Sequence, residues 1–183
     1  DLLLLRHDQG DPDYGDLVQI NQNANRAAAL VSQLLAYSRK QTLRPEVMDL
    51  RDMLSELTHL LNRLVGERVI LSLSHDPTLW SIRADKRQLE QVLINLIRNG
   101  IEATVEARGE DNPGPHSQIA ITTCINDQNE TLIEVIDEGP GLDAQGIRQM
   151  FQPFYTSKPQ GLGLGLSMSR SIIEGFGGFL DAR

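Results

Sequence analysis

Three short polar constellations in the second half of the chain carry residue types suited to a divalent cation, a planar amine and an anion. Asn95 and Asn99 sit four positions apart in Asn95-Leu-Ile-Arg-Asn99-Gly-Ile-Glu102-Ala103. On a helix that spacing places both amides on one face. Neutral oxygen donors on a rigid element suit magnesium, which takes few protein ligands and completes its shell with water and phosphate oxygens. Asp137-Glu138-Gly139-Pro140-Gly141 follows an alternating apolar run. A carboxylate at a strand end accepts a hydrogen bond from an exocyclic amine, and glycines beside it leave room for a ring. Gly161-Leu-Gly163-Leu-Gly165-Leu166 opens a helical pattern, where backbone N–H groups approach phosphate oxygens and the helix dipole favours negative charge. Taken singly, each pattern is ordinary: a solvated helix face, a strand-to-loop turn and a glycine-rich loop use the same residues.

The elements that must position these groups follow from periodicity. A helix runs from about 86 to 108, with Leu89, Val92, Leu93, Leu96, Ile97 and Ile101 on its apolar face, so both asparagines ride on it. Residues 119–125 and 132–136 alternate as strands around a polar turn, which puts Asp137 at a strand end. A short helix near 143–151, a Gly/Pro-rich loop over 152–163 and a helix over 164–175 frame the second glycine loop. Upstream, residues 50–65 read as an amphipathic helix through Leu54, Leu57, Leu60, Leu61 and Leu64, and 69–74 as a strand. This part is a mixed α/β layer structure.

The first forty residues differ. After the turn signal Gln9-Gly-Asp-Pro-Asp13, Leu17, Ile20, Ala24, Ala27, Val31, Leu34 and Ser38 recur in steps of three and four, the spacing of a helical-bundle seam. A helix over about 14–40 cannot bury such a stripe alone, so a dimerising hairpin is the economical solution. Arg44-Pro45 ends it, because proline blocks helix continuation, and the domain boundary falls at 40–46. Leu2 to Leu5 begin abruptly and read as the tail of a preceding helix in a longer protein.

Bulk composition removes several function classes. The formal charge of −8 argues against a general nucleic-acid or anionic-membrane surface. Cys124, the only cysteine, excludes an internal disulfide and a cysteine zinc cluster and reads as a buried strand residue in a reducing cytosol. No apolar run reaches the roughly 18 residues of a membrane span.

The order of the motifs is more specific than any one of them. Asn-x-x-x-Asn on a helix, Asp-x-Gly-x-Gly after a strand, Phe151-Gln-Pro153-Phe154, then Gly-x-Gly-x-Gly before a helix resembles the N, G1, F and G2 boxes of the sensor histidine kinase catalytic domain. That domain belongs to the GHKL superfamily shared with type II topoisomerases, the ninety-kilodalton heat-shock chaperone and mismatch-repair ATPases. Thr156-Ser-Lys158 and Ser171 to Gly178 resemble its lid and following helix, and residues 17–38 resemble the second helix of its dimerisation domain. From residue 1 to about 95 the chain is most similar to cell-cycle hybrid kinases, and after 98 to oxygen- or dicarboxylate-sensing kinases.

The resemblance implies an α+β architecture: an antiparallel helical hairpin over 1–42, half of a dimeric four-helix bundle, then an α/β sandwich ATP-binding domain over 46–183 whose last strands lie beyond Arg183. It implies ATP and Mg²⁺ as cofactors. Asn99 would ligate the metal with Asn95 assisting near the phosphates, and Glu102 would join Asn99 among the cofactor-binding residues. Asp137 would hold the adenine amine, with Gly139 and Gly141 shaping the purine pocket and Phe154 beside it. Lys158, Gly161, Gly163, Gly165 and Leu166 would hold the phosphates. It also implies a homodimer through residues 1–40, a response regulator receiver domain as partner, and a cytoplasmic location without direct membrane contact.

A kinase of this type needs an acceptor histidine, and four are present. His7-Asp8 resembles the start of the acceptor motif, but Gly10 and Pro12 follow within five residues and put His7 at a helix end. His59, His75 and His116 fall in the second domain with ordinary roles, so the acceptor is expected upstream of Asp1. Two other classes stay open at this level. One is a non-catalytic dimerising scaffold with a regulatory or vacant nucleotide site, which the missing acceptor and the departures Gly100 and Phe176 would suit. The other is a hydrolytic ATPase of the superfamily, which commonly carries a glutamate where this chain has Asn95.

Overall fold

The computed structural model describes residues 10–24, 43–65, 69–108, 117–156, 158 and 161–182. The chain divides into two compact units, Asp1–Thr42 and Leu43–Arg183.

In the first unit a turn at 10–13 leads into helix α1, described over residues 14–24. The turn is built from its own polar groups: the Asp13 N–H donates to Asp11 Oδ1 at 2.9 Å and the Tyr14 N–H to the Asp11 carbonyl at 3.0 Å. Ile20, one of the expected seam positions, is 63% exposed. The seam beyond residue 24, and His7, lie outside the described residues.

The second unit begins with β1 (Glu46–Met48), α2 (Leu50–Val65), β2 (Val69–His75), β3 (Ile82–Ala84) and α3 (Lys86–Arg108). It continues with β4 (Ser117–Ile125), β5 (Thr131–Ile136), α4 (Ala144–Gln149) and α5 (Gly165–Gly175). Strands β2, β4 and β5 form one sheet in that spatial order, β2 parallel and β5 antiparallel to β4. Strands β1 and β3 pair antiparallel as a separate two-stranded sheet. The sequence gives no alternation long enough to reveal these two three-residue strands; their pairing is a long-range one.

The two central helices form where apolar residues recur at helical spacing, and both bury that stripe on one face of the three-stranded sheet. Leu50, Met53, Leu54, Leu57 and Leu61 of α2 join Leu89, Leu93 and Ile97 of α3. They pack on Val69 and Leu71 of β2 and Ile119 and Ile121 of β4. Each such side chain removed from water stabilises the fold by about 1.5–3 kcal/mol before entropy is counted. Leu60, expected on the apolar face of α2, lies at its rim and is exposed. On the opposite sheet face, Thr122 donates to Glu134 Oε2 at 3.2 Å. Cys124 is on this outer face and only half-buried, which corrects the expectation of a fully buried strand residue.

Acidic residues fix the helix starts. Asp85 Oδ1 accepts from the Gln88 N–H at 3.2 Å, while its Oδ2 accepts from the Arg44 N–H at 2.9 Å and ties the lead-in of β1 to α3. The Arg44 N–H is the chief reason that this carboxyl stays below the usual range. Before α2, Arg51 donates to both Asp49 oxygens, at 3.1 and 2.7 Å, and lowers that carboxyl to about 2. His75 shares a hydrogen bond of 2.8 Å with Thr123 across β2 and β4, and burial pushes its imidazole pKa down. A structural role fits it, and His59 is exposed on α2.

Candidate functional site

Helix α3 changes character along its length. Its first turns are packed into the core, whereas residues 95–103 form a shelf on which three other segments converge. Glycine or alanine stands where the β5 loop and the start of α5 come closest, and an ion pair where the third segment does.

The loop after β5 settles over the shelf at Gly100 and Ala103. A Cβ on Gly100 would lie 3.0 Å from Asp137 Cβ and 3.3 Å from Ile119 Cδ1. A Cβ on Gly139 would lie 2.7 Å from Asp137 Oδ1 and 2.9 Å from Ala103 Cβ. The Gly139 N–H donates to Asp137 Oδ1 at 2.8 Å, which fixes the carboxylate and leaves Oδ2 without a hydrogen-bond partner among the described residues. Asp137 is exposed, so this oxygen can meet a ligand. Thr104, fully buried, donates to the Gly100 carbonyl at 2.7 Å and steadies the same turn of helix.

The start of α5 meets the shelf at Asn95. The Asn95 amide donates to Ser169 Oγ at 3.0 Å, and both residues are buried. Gly165 presses against the same amide, since a Cβ there would stand 2.5 Å from Asn95 Oδ1. Asn95 and Asn99 share a helix face as their spacing predicts, yet their surroundings differ: Asn95 holds α5, while Asn99 is part-exposed and its side chain makes no hydrogen bond among the described residues. The first turn of α5 has no side-chain cap, so its N–H groups are not satisfied by a neighbouring hydroxyl or carboxylate.

The third segment leads from Phe151 to Gly165. Phe151 lies under the Arg170 guanidinium, 4.1 Å from its ring centre, which anchors the loop to α5. Phe154 adopts a left-handed conformation, φ 68°, and is 64% exposed. Its N–H donates to the Gly163 carbonyl at 2.9 Å. The chain crosses itself so tightly there that a Cβ on Gly163 would lie 2.4 Å from the Tyr155 carbonyl oxygen. Thr156 Oγ1 accepts from the Lys158 N–H at 3.1 Å, and the Gly161 N–H donates to the Lys158 carbonyl at 3.1 Å. Lys158 Nζ donates to Glu102 Oε2 on α3, and Arg98 Nε lies 3.7 Å from Glu102 Oε1. Leu166 is partly buried in the first turn of α5.

Every nucleotide-site candidate read from the sequence thus lies on the shelf or on one of these three segments. Four contacts carry no sequence signal: Asn95 with Ser169, Glu102 with Lys158, Gly139 with Ala103, and Asp137 with Gly100. Gly100, which reads as a departure from pattern in sequence, is the position that admits Asp137. Phe176, the other departure, packs partly buried against the core.

The donor set fits Mg-ATP. An unpartnered carboxylate oxygen beside a glycine suits a ring amine, and an uncapped helix start with a nearby ammonium suits phosphate. No group of three or more His, Cys, Asp or Glu residues able to hold a metal occurs among the described residues. A magnesium ion, which takes few protein ligands and completes its shell with water and phosphate, would be compatible with such a site.

Residues 84–183 match the family described as histidine kinase-, DNA gyrase B-, and HSP90-like ATPase. The sensor kinase CckA of Brucella abortus is 44% identical over 98% of the chain, and the C4-dicarboxylate transport sensor protein DctS of Rhodobacter capsulatus 32% identical over 91%. The chain spans 20% and 25% of the length of these two relatives. Among solved structures, histidine kinase ThkA in complex with response regulator protein TrrA is 26% identical, with a TM-score of 0.70 over 94% of this chain and 47% of that one. The separate catalytic domain of ThkA is 29% identical, with a TM-score of 0.58 over 72% of this chain and 81% of that one.

Proposed function

Because the chain belongs to the histidine kinase-, DNA gyrase B-, and HSP90-like ATPase family, with sensor histidine kinases among its relatives, we propose that it is the ATP-binding core of a protein-histidine kinase. In this reading the Leu43–Arg183 unit binds Mg-ATP and presents the γ-phosphoryl group to a histidine upstream of Asp1, for relay to an aspartate of a response regulator. The complex of ThkA with TrrA supports such a partner. Residues 1–40 would dimerise, and the catalytic unit would work in the cytoplasm. No helix among the described residues is long and apolar enough to cross a membrane.

Asp137 Oδ2 accepts a hydrogen bond from the adenine amine, while Gly139 and Gly141 leave the ring its space. Phe154 borders that pocket. The Asn99 side-chain oxygen would hold Mg²⁺, which when bound would neutralise charge on the phosphates. Asn95, rather than touching the phosphates, fixes α5 so that the N–H groups of Gly165 and Leu166, with that of Gly163 before them, face the phosphates, whereas the Gly161 N–H donates to the Lys158 carbonyl and Gly161 shapes the loop instead. Lys158 adds the cation. Positioning and charge neutralisation carry phosphoryl transfer in such a site.

The observation that carries this reading is the convergence of the β5 loop, the Phe151–Gly165 segment and the start of α5 on residues 95–103. Binding of a fluorescent ATP analogue with and without Mg²⁺ tests it. Asp137→Asn should lower affinity about tenfold or more, since a buried polar contact is lost and mismatched. Asn99→Ala should remove the Mg²⁺ dependence, and phosphate transfer from labelled ATP to a separately supplied acceptor-helix domain should fall in both. Undiminished Mg-ATP affinity in the two variants would sink the assignment.

A further inference from the structure

Glu102 and Lys158 are 56 positions apart and meet as an ion pair between α3 and the loop before Gly161. The contact is placed with care. The backbone of Lys158 is held on both sides, by Thr156 Oγ1 and by the Gly161 N–H. Gly161 itself sits so close that a Cβ would lie 3.2 Å from Lys158 Cβ. With its side chain 32% exposed, Lys158 is shielded on most sides, and its ammonium reaches a carboxylate one helical turn beyond Asn99. A carboxylate at that place is at odds with a site meant for phosphates, because like charges repel.

We infer that Glu102 is an internal stand-in for phosphate: it holds Lys158 while the site is empty and must surrender it when nucleotide binds. The inference rests on the nucleotide reading of the site. A triphosphate brings three or four negative charges to a loop whose one fixed cation is already neutralised. Binding therefore exchanges one ion pair for another, and the affinity observed is lower than the phosphate contacts alone would give. On release the carboxylate recaptures the ammonium, which favours product departure. Arg98, 3.7 Å from the second Glu102 oxygen, is placed to keep partial hold of the carboxylate after the exchange.

A double-mutant cycle on the full chain tests this through binding rather than turnover. Glu102→Gln should tighten Mg-ATP analogue binding by about three- to fivefold, the size of one partly exposed ion pair, and slow its dissociation. Lys158→Gln should weaken binding. In the Lys158→Gln background, Glu102→Gln should give a clearly smaller gain, because the competitor no longer has a lysine to hold and only its direct repulsion of the phosphates is relieved. Weaker binding in Glu102→Gln would make Glu102 a support for Lys158 and overturn the inference. An equal gain in the Lys158→Gln background would reduce Glu102 to simple repulsion and overturn it too. No binding by a folded wild-type chain would instead remove the nucleotide reading, and this inference with it. Both side chains are surface groups, so circular dichroism should report an unchanged fold.

Discussion

The two glycine loops of the site look alike in sequence but are held in different ways. Around Asp137 the glycines give room to side chains: Gly139 clears the Asp137 carboxylate and Ala103, and Gly141 has open space around it despite a left-handed φ of 72°. Around Gly163 the glycines give room to backbone. Gly163 has nearly the same left-handed φ, 63°, but a Cβ on it would lie 2.4 Å from the Tyr155 carbonyl oxygen and 2.5 Å from the Phe154 carbonyl carbon. The first loop is a strand end trimmed to fit a helix. The second is a crossing of two chain segments, and backbone cannot move aside as the tip of a side chain can.

That contrast sets the order of expected damage. Gly163→Ala should do the most: the left-handed conformation costs about 1 kcal/mol for alanine, and displacing the crossing adds about 1–3 kcal/mol more. Nucleotide-analogue affinity should fall by at least about 30-fold while the α2–α3 core still unfolds cooperatively. Affinity within twofold of wild type would mean that the crossing does not form in solution. Next comes the link between the second loop and the shelf. Asn95→Ala and Ser169→Ala each orphan a buried partner and should each cost about 1–3 kcal/mol in chemical denaturation. The double variant should cost less than the sum of the two, since the second change removes a group already unpaired. Additive losses would show that the 3.0 Å bond contributes nothing.

The same contrast explains which features the sequence exposes. Helices α2 and α3 are legible because Leu54, Leu57, Leu61, Leu89, Leu93 and Ile97 repeat at the helical period and turn out to be the core. The boxes are legible because glycines and asparagines cluster locally. What stays hidden is long-range. Strands β1 and β3 exist through pairing of Glu46–Met48 with Ile82–Ala84, and three residues cannot display a period. Glu102 meets Lys158, and Asn95 meets Ser169, across chain separations that leave no spacing rule. Gly100 reads as a deviation until Asp137 is seen 3.0 Å from where its Cβ would be. The expected helical hairpin falls mostly outside the described residues, which include of it only the turn at 10–13 and helix α1 over 14–24.

The first loop offers smaller effects. Gly139→Ala places a methyl group 2.7 Å from Asp137 Oδ1 and 2.9 Å from Ala103 Cβ. The carboxylate can rotate, so the cost is about 1–2 kcal/mol, and it should fall on adenine binding rather than on stability. Adding Ala103→Gly should restore part of the affinity, because it clears one of the two obstacles. If Ala103→Gly restores nothing, the carboxylate alone sets the effect.

Gly141→Ala is the smallest change and the control for the largest. Its φ is as left-handed as that of Gly163, but nothing lies within 4 Å of the new methyl group. Only the backbone cost of about 1 kcal/mol applies, and Tm should fall by roughly 3 °C for a unit of this size. Asparagine tolerates the left-handed region better than alanine does. Gly141→Asn should therefore recover most of that loss, whereas Gly163→Asn should recover none, because there the obstacle is the Tyr155 carbonyl rather than φ. Recovery at both positions would mean that the two loops are held alike, by backbone conformation alone. Recovery at Gly141 only would separate the cost of an unusual φ from the cost of a crossing chain.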